Sequence, residues 1–243
     1  MSVENDPDIV IFPRKNRNEK SIPERGLLLV NPTEAKPRID TLLDSGWSSR
    51  FLFNSRLCVS KNDYSFVAGP AIGAPMAALA MEKLIALGAR RIVLCGWCGA
   101  VDKKLAVGDI VIPDSALSGE GTSPYYTGES EIAPSGSLTA ELRDFFRGQG
   151  VVTATGRVWS TDAVYREKRS QLAQLNRSRG VVAIDMEFSA LCAVAIFRKI
   201  EFSAVLIVSD EVWGESWSPG FTKDHFRARK EAAYEVLQKF ISQ

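Results

Sequence analysis

The chain has 243 residues, 45% hydrophobic and 24% charged, which suits one α/β domain of generous size with a substantial core. A formal net charge of +1 leaves no electrostatic case for nucleic acid or an anionic membrane as the main partner. No apolar run approaches the roughly 18 residues of a spanning helix. The acidic start, Met1-Ser-Val-Glu-Asn-Asp-Pro-Asp8, lacks the layout of a signal peptide, so a cytoplasmic location is expected.

Taken in chain order, residues 1–25 are polar and proline-punctuated and read as an arm preceding a single domain, 26–243. Gly26-Leu-Leu-Leu-Val30 has the continuous apolar character of a buried strand. Asn31-Pro32-Thr33-Glu34 then turns the chain into a helix over roughly 35–43. Segments 47–59 and 63–68 predict two strands joined at Lys61-Asn62. The turn-rich Gly69-Pro-Ala-Ile-Gly-Ala-Pro75 feeds an alanine- and methionine-rich helix over 76–87, stopped at Gly88. A short buried strand is predicted over 91–94, a glycine-interrupted turn over 96–99, and a second strand over 110–112 after a polar, hairpin-like connection. The Gly/Ser/Thr/Tyr stretch 117–135 is too long to be an idle loop. Beyond it the pattern predicts a helix over 138–148, a strand over 151–158, and a helix from near Ala163 capped by Thr161 or Asp162. Strands over 181–184 and 202–208 follow, each running into acids, with helices over 188–197 and 222–241. Short apolar strands alternating with helices argue an α/β fold with a mainly parallel or mixed sheet.

Of the four cysteines, Cys95 and Cys98 have a C-x-x-C spacing. Zinc would need two further ligands and the sole histidine, His225, is remote, so no metal site is implied. Small buried residues lining a tight turn are the expected reading. The chemistry-bearing residues lie at strand ends: Asp185-Met186-Glu187 where a strand becomes a helix, Ser209-Asp210 at the end of another, and Ile72-Gly73-Ala74-Pro75 at a third switch. Ligands bind at such places in open α/β sheets. A lone acid there is ordinarily a helix cap or turn residue. Acids from two strand ends beside a glycine turn point further, towards a site.

Gly73-x-Pro75, Leu87-Gly-Ala89, Cys98-Gly-Ala100, Gly108-Asp-Ile-Val-Ile112, Gly121-Thr-Ser-x-x-Tyr126, Asp185-Met-Glu187 and Val208-Ser-Asp210, in that order, resemble the nucleoside phosphorylase family of purine nucleoside and uridine phosphorylases, with its related nucleosidases. The resemblance covers roughly residues 26–240. It implies a three-layer α/β sandwich with a central mixed, partly closed sheet, assembled as a homodimer or higher homo-oligomer, and needing no cofactor. It also implies cleavage of a nucleoside's N-glycosidic bond, as in purine salvage. Glu187 would hold the ribose hydroxyls, with Met186 against the sugar. Asp210 would protonate the leaving base or stabilise its anion. Val164, Tyr165, Ile184 and Trp159 would line the base pocket, with Gly73, Gly96, Trp97 and Ser209 completing the substrate surface.

Where family phosphorylases hold phosphate with a Gly-Asp-Pro-x-Arg loop, an arginine before the central glycines and a Ser or Thr between them, this chain has Asn31-Pro32-Thr33-Glu34, Leu94 and Trp97. A carboxylate facing a phosphate dianion is repulsive, so tight phosphate binding does not fit. Hydrolysis is therefore expected, with Glu34 placed to activate water. The alternatives are a phosphorylase that recruits Arg56, Arg157 or Arg166, Arg56 being one that a neighbouring subunit could lend, and a binding or storage relative without catalysis. Trp213, Trp217 and Phe221 read equally as a lid over the base or as a packing cluster.

Overall fold

The computed structural model describes residues 8–62 and 64–243; the expectations for residues 1–7 and Asp63 fall outside the described residues. Among these, twelve strands form one mixed sheet and six α-helices cover it. The strands are β1 (Arg25–Leu29), β2 (Ser48–Leu52), β3 (Ser55–Val59), β4 (Phe66–Gly69), β5 (Arg91–Ala100), β6 (Ile110–Val111), β7 (Ser115–Gly119), β8 (Glu131–Ile132), β9 (Arg157–Thr161), β10 (Val181–Asp185), β11 (Glu201–Glu211) and β12 (Ser218–Pro219). The helices are α1 (Pro32–Asp44), α2 (Ala74–Leu87), α3 (Gly136–Gly148), α4 (Arg169–Arg179), α5 (Phe188–Arg198) and α6 (Asp224–Ile241).

The sheet is organised on β5. Along one edge it pairs in parallel with β11 from Arg91 to Ala100. Its other edge is shared: β1 pairs in parallel with Arg91–Cys95, and β10 pairs antiparallel at Gly99 and Ala100. The sheet does not close into a barrel. One isolated bridge, Val111 with Ala154, joins β6 to the segment entering β9.

Side-chain alternation along β5 divides the interior into two layers. Ile92, Leu94, Cys98 and Ala100 pack with α2 and α5, while Val93, Cys95 and Trp97 pack with α1, α3 and α6. A smaller cluster places Leu172 of α4 against Trp159, Val181 and Ile184. The helices explain themselves locally. Asn31 caps α1, its Oδ1 accepting from Thr33 N–H at 2.9 Å, and Pro32 occupies the first turn. The arm is docked from residue 14 on: Lys83 Nζ of α2 donates to the Arg14 carbonyl, and Ile22 N–H to Leu87 O. No helix among the described residues is long and apolar enough to cross a membrane.

Several boundaries differ from expectation. The glycines at 96 and 99 do not turn the chain; β5 runs straight through them, because β11 pairs with both and β10 pairs with Gly99 on the other edge. Cys95 and Cys98 therefore face opposite layers and cannot form a shared thiol site. The strand after it, β6, pairs with β11 and not with β5, so their connection is no hairpin. Segment 47–59 is itself a hairpin, β2–β3, turning at Phe53, whose φ is +56°. The expected 151–158 strand is displaced to 157–161, and the expected helix near Ala163 is one 3-10 turn, Val164–Arg166, with α4 starting five residues later than that turn begins. Segment 117–135 supplies the end of β7 and the whole of β8.

Gly26 in β1 has no room for a side chain: a methyl would overlap the Phe66 carbonyl oxygen and ring across the β1–β4 pairing. Gly26→Ala is expected to cost about 1–3 kcal/mol. Urea denaturation checks this as a lowered midpoint with an unchanged slope.

Candidate active site

The two acids expected to meet do so at Gly99. On one side Ile184 pairs with Gly99, which brings the C-terminal end of β10 alongside; on the other Asp210 pairs with the same residue. The strands are antiparallel to each other, so the acids converge by pairing with one residue and not by sharing one end of a parallel sheet. The register slips between Val208 and Asp210, making Ser209 the extra residue of a bulge. Bulges re-aim the side chains beside them. Here the bulge precedes an Asp210 whose Oδ1 accepts from Ser209 Oγ at 2.7 Å and whose Oδ2 accepts from Trp217 Nε1 at 2.8 Å. The loop carrying Trp217 is tied back by β12, which pairs Pro219 with Asp210 and Ser218 with Glu211.

The acids of Asp185-Met186-Glu187 have separate tasks. Asp185 caps α5: its Oδ2 accepts from the N–H groups of Glu187 (3.1 Å) and Phe188 (2.7 Å), and its Oδ1 from Ser160 Oγ at 2.5 Å. Glu187 reaches the other way and accepts from the Gly73 N–H at 2.6 Å. Gly73, at φ +82°, opens α2 and presents that donor. Both acids are buried, and burial raises both pKa values above the ordinary carboxylate range; Glu187 is raised further by the charge of Asp185.

A cavity of about 550 Å³ lies above this convergence. Asp210, Glu187, Met186, Tyr165, Val164, Ile184, Trp97 and Ser209 all line it, as do Asp185, Gly99 and Ile72. Trp217 and Phe221 of the aromatic loop line it too, with Trp97 stacked on Phe221 at 5.8 Å between centroids. Four expected residues do not line it. Trp159 is buried beneath Ile184, its neighbour across β9–β10. Gly96 is a packing position, where a methyl would lie 2.8 Å from Val30 Cγ2. Gly73 acts through Glu187. Glu34 is buried in an ion-pair cluster: Arg38 Nη2 lies 2.8 Å from its Oε2, Lys230 pairs with its Oε1, and Glu231 completes the group. His225, on the exposed first turn of α6, is also outside the cavity.

Sequence reasoning assigned no role to Glu167, which follows the 3-10 turn, or to Arg169, the first residue of α4, yet both line the cavity. They sit in a polar, aperiodic stretch, and only its adjacency to the expected pocket residues Val164 and Tyr165 marked it. Burial first, and then the charge of Asp210, raises Glu167 to about 7. The charged lining is thus four carboxyls, Glu167, Asp185, Glu187 and Asp210, against one guanidinium, Arg169.

A sequence model described as the Phosphorylase superfamily matches residues 25–242. The DeoD-type purine nucleoside phosphorylase of Clostridium novyi (strain NT) is 27% identical over 176 residues, 71% of this chain and 75% of that protein. Among solved structures, purine nucleoside phosphorylase from Toxoplasma gondii, in complex with immucillin-H, superposes with a TM-score of 0.78 at 20% identity, covering 91% of each chain. AMP nucleosidase from Bacteroides thetaiotaomicron superposes with a TM-score of 0.70 at 22% identity, again covering 91% of each.

The raised Glu167 has a consequence for folding. Its ordinary value is 4.5, so below that pH the group is neutral in both the folded and unfolded chain and costs nothing. Between 4.5 and about 7 the unfolded chain releases a proton that the folded chain keeps, and stability is lost as pH rises. Glu167→Gln is therefore expected to match the wild-type melting temperature at pH 4 and to exceed it at pH 8. Thermal melts across that range check the crossover.

Proposed function

The chain belongs to the Phosphorylase superfamily, whose members include nucleoside phosphorylases and nucleosidases, and we propose that it cleaves the N-glycosidic bond of a purine nucleoside by hydrolysis. A cavity of about 550 Å³ with aromatic and aliphatic walls and a set of convergent carboxyls suits a ligand of that size. In this reading the sugar lies on Met186 with its hydroxyls on Glu187, and the base lies among Val164, Tyr165 and Ile184 with its edge towards Asp210.

Breaking the bond builds positive charge on the sugar and negative charge on the base. Glu187, in a poorly solvated site, interacts strongly with the first, more so than an exposed carboxylate could. The carboxyl groups at the base end govern the proton that the leaving base takes up. Trp97, Phe221 and Trp217 restrict water to the space beside the anomeric carbon.

The observation that carries hydrolysis over phosphorolysis is the charge of the lining. The lining offers a phosphate dianion one guanidinium, Arg169, set among acids, and Arg38 and Lys230 near Asn31-Pro32-Thr33-Glu34 are already paired with Glu34. Glu34 itself, held in that cluster, has no part in the proposed water attack. Arg169 favours the second reading: it makes no ion pair among the described residues and stands at the cavity, where it could receive an anion. Tyr165 and Ile72, 97% and 53% exposed although they line the cavity, fit cover by a second copy of the chain.

Free base is expected to appear from purine nucleosides in phosphate-free buffer, at a rate that added phosphate does not raise. Asp210→Asn and Glu187→Gln should each lower kcat/KM by about 10²-fold or more. Release that requires phosphate would replace this reading with phosphorolysis using Arg169. Nucleoside binding without release in either buffer would leave a binding protein.

A further inference from the structure

We propose that Glu167 carries the proton delivered to the leaving base, and that Asp210, with a hydrogen-bond donor on each oxygen, is its accepting partner. This rests on the reading above that the cavity takes a nucleoside with its base towards these two residues.

The two carboxyls are treated differently by their surroundings. Asp210 has a donor on each oxygen, Ser209 Oγ on Oδ1 and Trp217 Nε1 on Oδ2. An indole N–H can only donate, so Oδ2 is committed as an acceptor. Hydrogen bonds of this kind favour the charged form. Glu167 has no hydrogen-bond partner among the described residues, is half-buried, and lines the same cavity as Val164 and Tyr165. Two carboxyls that face one cavity resist joint ionisation, and the one without donors keeps the proton.

The charged groups around Glu167 are consistent with that division. Asp210 faces it from β11, Asp185 and Glu187 stand across the cavity, and Arg166, Lys168 and Arg169 flank it in its own segment. Despite three neighbouring cations, burial and Asp210 hold its pKa near 7, where an acid is both protonated enough and strong enough to serve.

In the step, the electron pair of the C–N bond passes to the base nitrogen, which takes the Glu167 proton. Water adds to the anomeric carbon, and the proton it sheds to solvent balances the one that Glu167 regains. Free base and free sugar are the products.

The test compares two leaving groups in wild type and Glu167→Gln: a purine nucleoside, whose base needs a proton to leave, and p-nitrophenyl β-D-riboside, whose phenolate does not. With the nucleoside, wild-type activity is expected to fall as pH rises through about 7. Glu167→Gln should lose about 10²- to 10⁴-fold on the nucleoside and show no such fall. On the p-nitrophenyl riboside it should keep the wild-type rate, which also shows that the variant is folded. Equal losses on both substrates would make Glu167 a positioning residue and overturn the proposal, as would full activity of the variant on the nucleoside. If wild type cleaves the nucleoside only with phosphate, hydrolysis fails while the same comparison, run in phosphate, still decides the role of Glu167. If wild type cleaves neither substrate in either buffer, both readings fall together.

Discussion

The double pairing at Gly99 is the constraint the site depends on. This glycine is the position on β5 where β10 and β11 both pair, and a side chain there would have to share space with both neighbours. A methyl would sit 3.1 Å from Ile184 Cγ2 and 3.3 Å from Asp210 Oδ2. The absent Cβ leaves both neighbours unstrained where a strand ending in Asp185-Met186-Glu187 and a strand ending in Ser209-Asp210 approach the same point. Everything the cavity does chemically follows from that approach, because neither strand alone presents more than one end of a nucleoside-sized space. The pairing is fixed by ten residues of β5 against β11, so the geometry is set by the central ladder of the sheet and not by its loops.

Electrostatics follows from the same placement. Four carboxyls around one cavity would repel each other if all were solvated and charged alike, and the structure separates them by giving each a different set of donors. Asp185 has three, including two backbone N–H groups at the start of α5; Asp210 has two side-chain donors; Glu187 accepts from backbone N–H, that of Gly73 at 2.6 Å; Glu167 has none among the described residues. Nearby positive charge is consumed elsewhere. Arg38 stacks over Tyr234 at 3.7 Å and is shared between Glu34 and Glu231, and Lys230 is bound to Glu34. The acid at position 34 is thus balanced within α1 and α6, and the cavity keeps its acidic character.

The features legible in the sequence were those with a strong local signal. The buried strands over 26–30, 181–184 and 202–208, the helices of the two layers, and the acids at the ends of β10 and β11 all announce themselves by apolar runs ending in polar residues. The sheet's continuity through Gly96 and Gly99 was not legible, since glycine's turn tendency is local and the pairing that overrides it comes from strands about a hundred residues away. The bulge at Ser209 leaves no mark in composition. Glu34 was read as a site residue because Asn31-Pro32-Thr33-Glu34 stands where the resembling family holds phosphate; it lies in the first turn of α1, and its partners lie four residues on and in the last helix, only the latter being beyond local reasoning. Glu167 was passed over for the opposite reason, standing in a polar stretch where any acid looks solvated.

Ser209 has one further meaning. Along a strand, side chains alternate between the two faces, so inserting a residue exchanges the faces for all that follows it. Val208 points into the layer of α2 and α5, and the slip at Ser209 resets that alternation just before Asp210. The length of β11 is thus as much a part of the site as the identity of residue 210. A chain with the same acid but without Ser209 would bring it to Gly99 in regular register, lacking both the bulge and the hydroxyl that donates to its Oδ1, so an alignment gap at this point carries as much functional information as a substitution would.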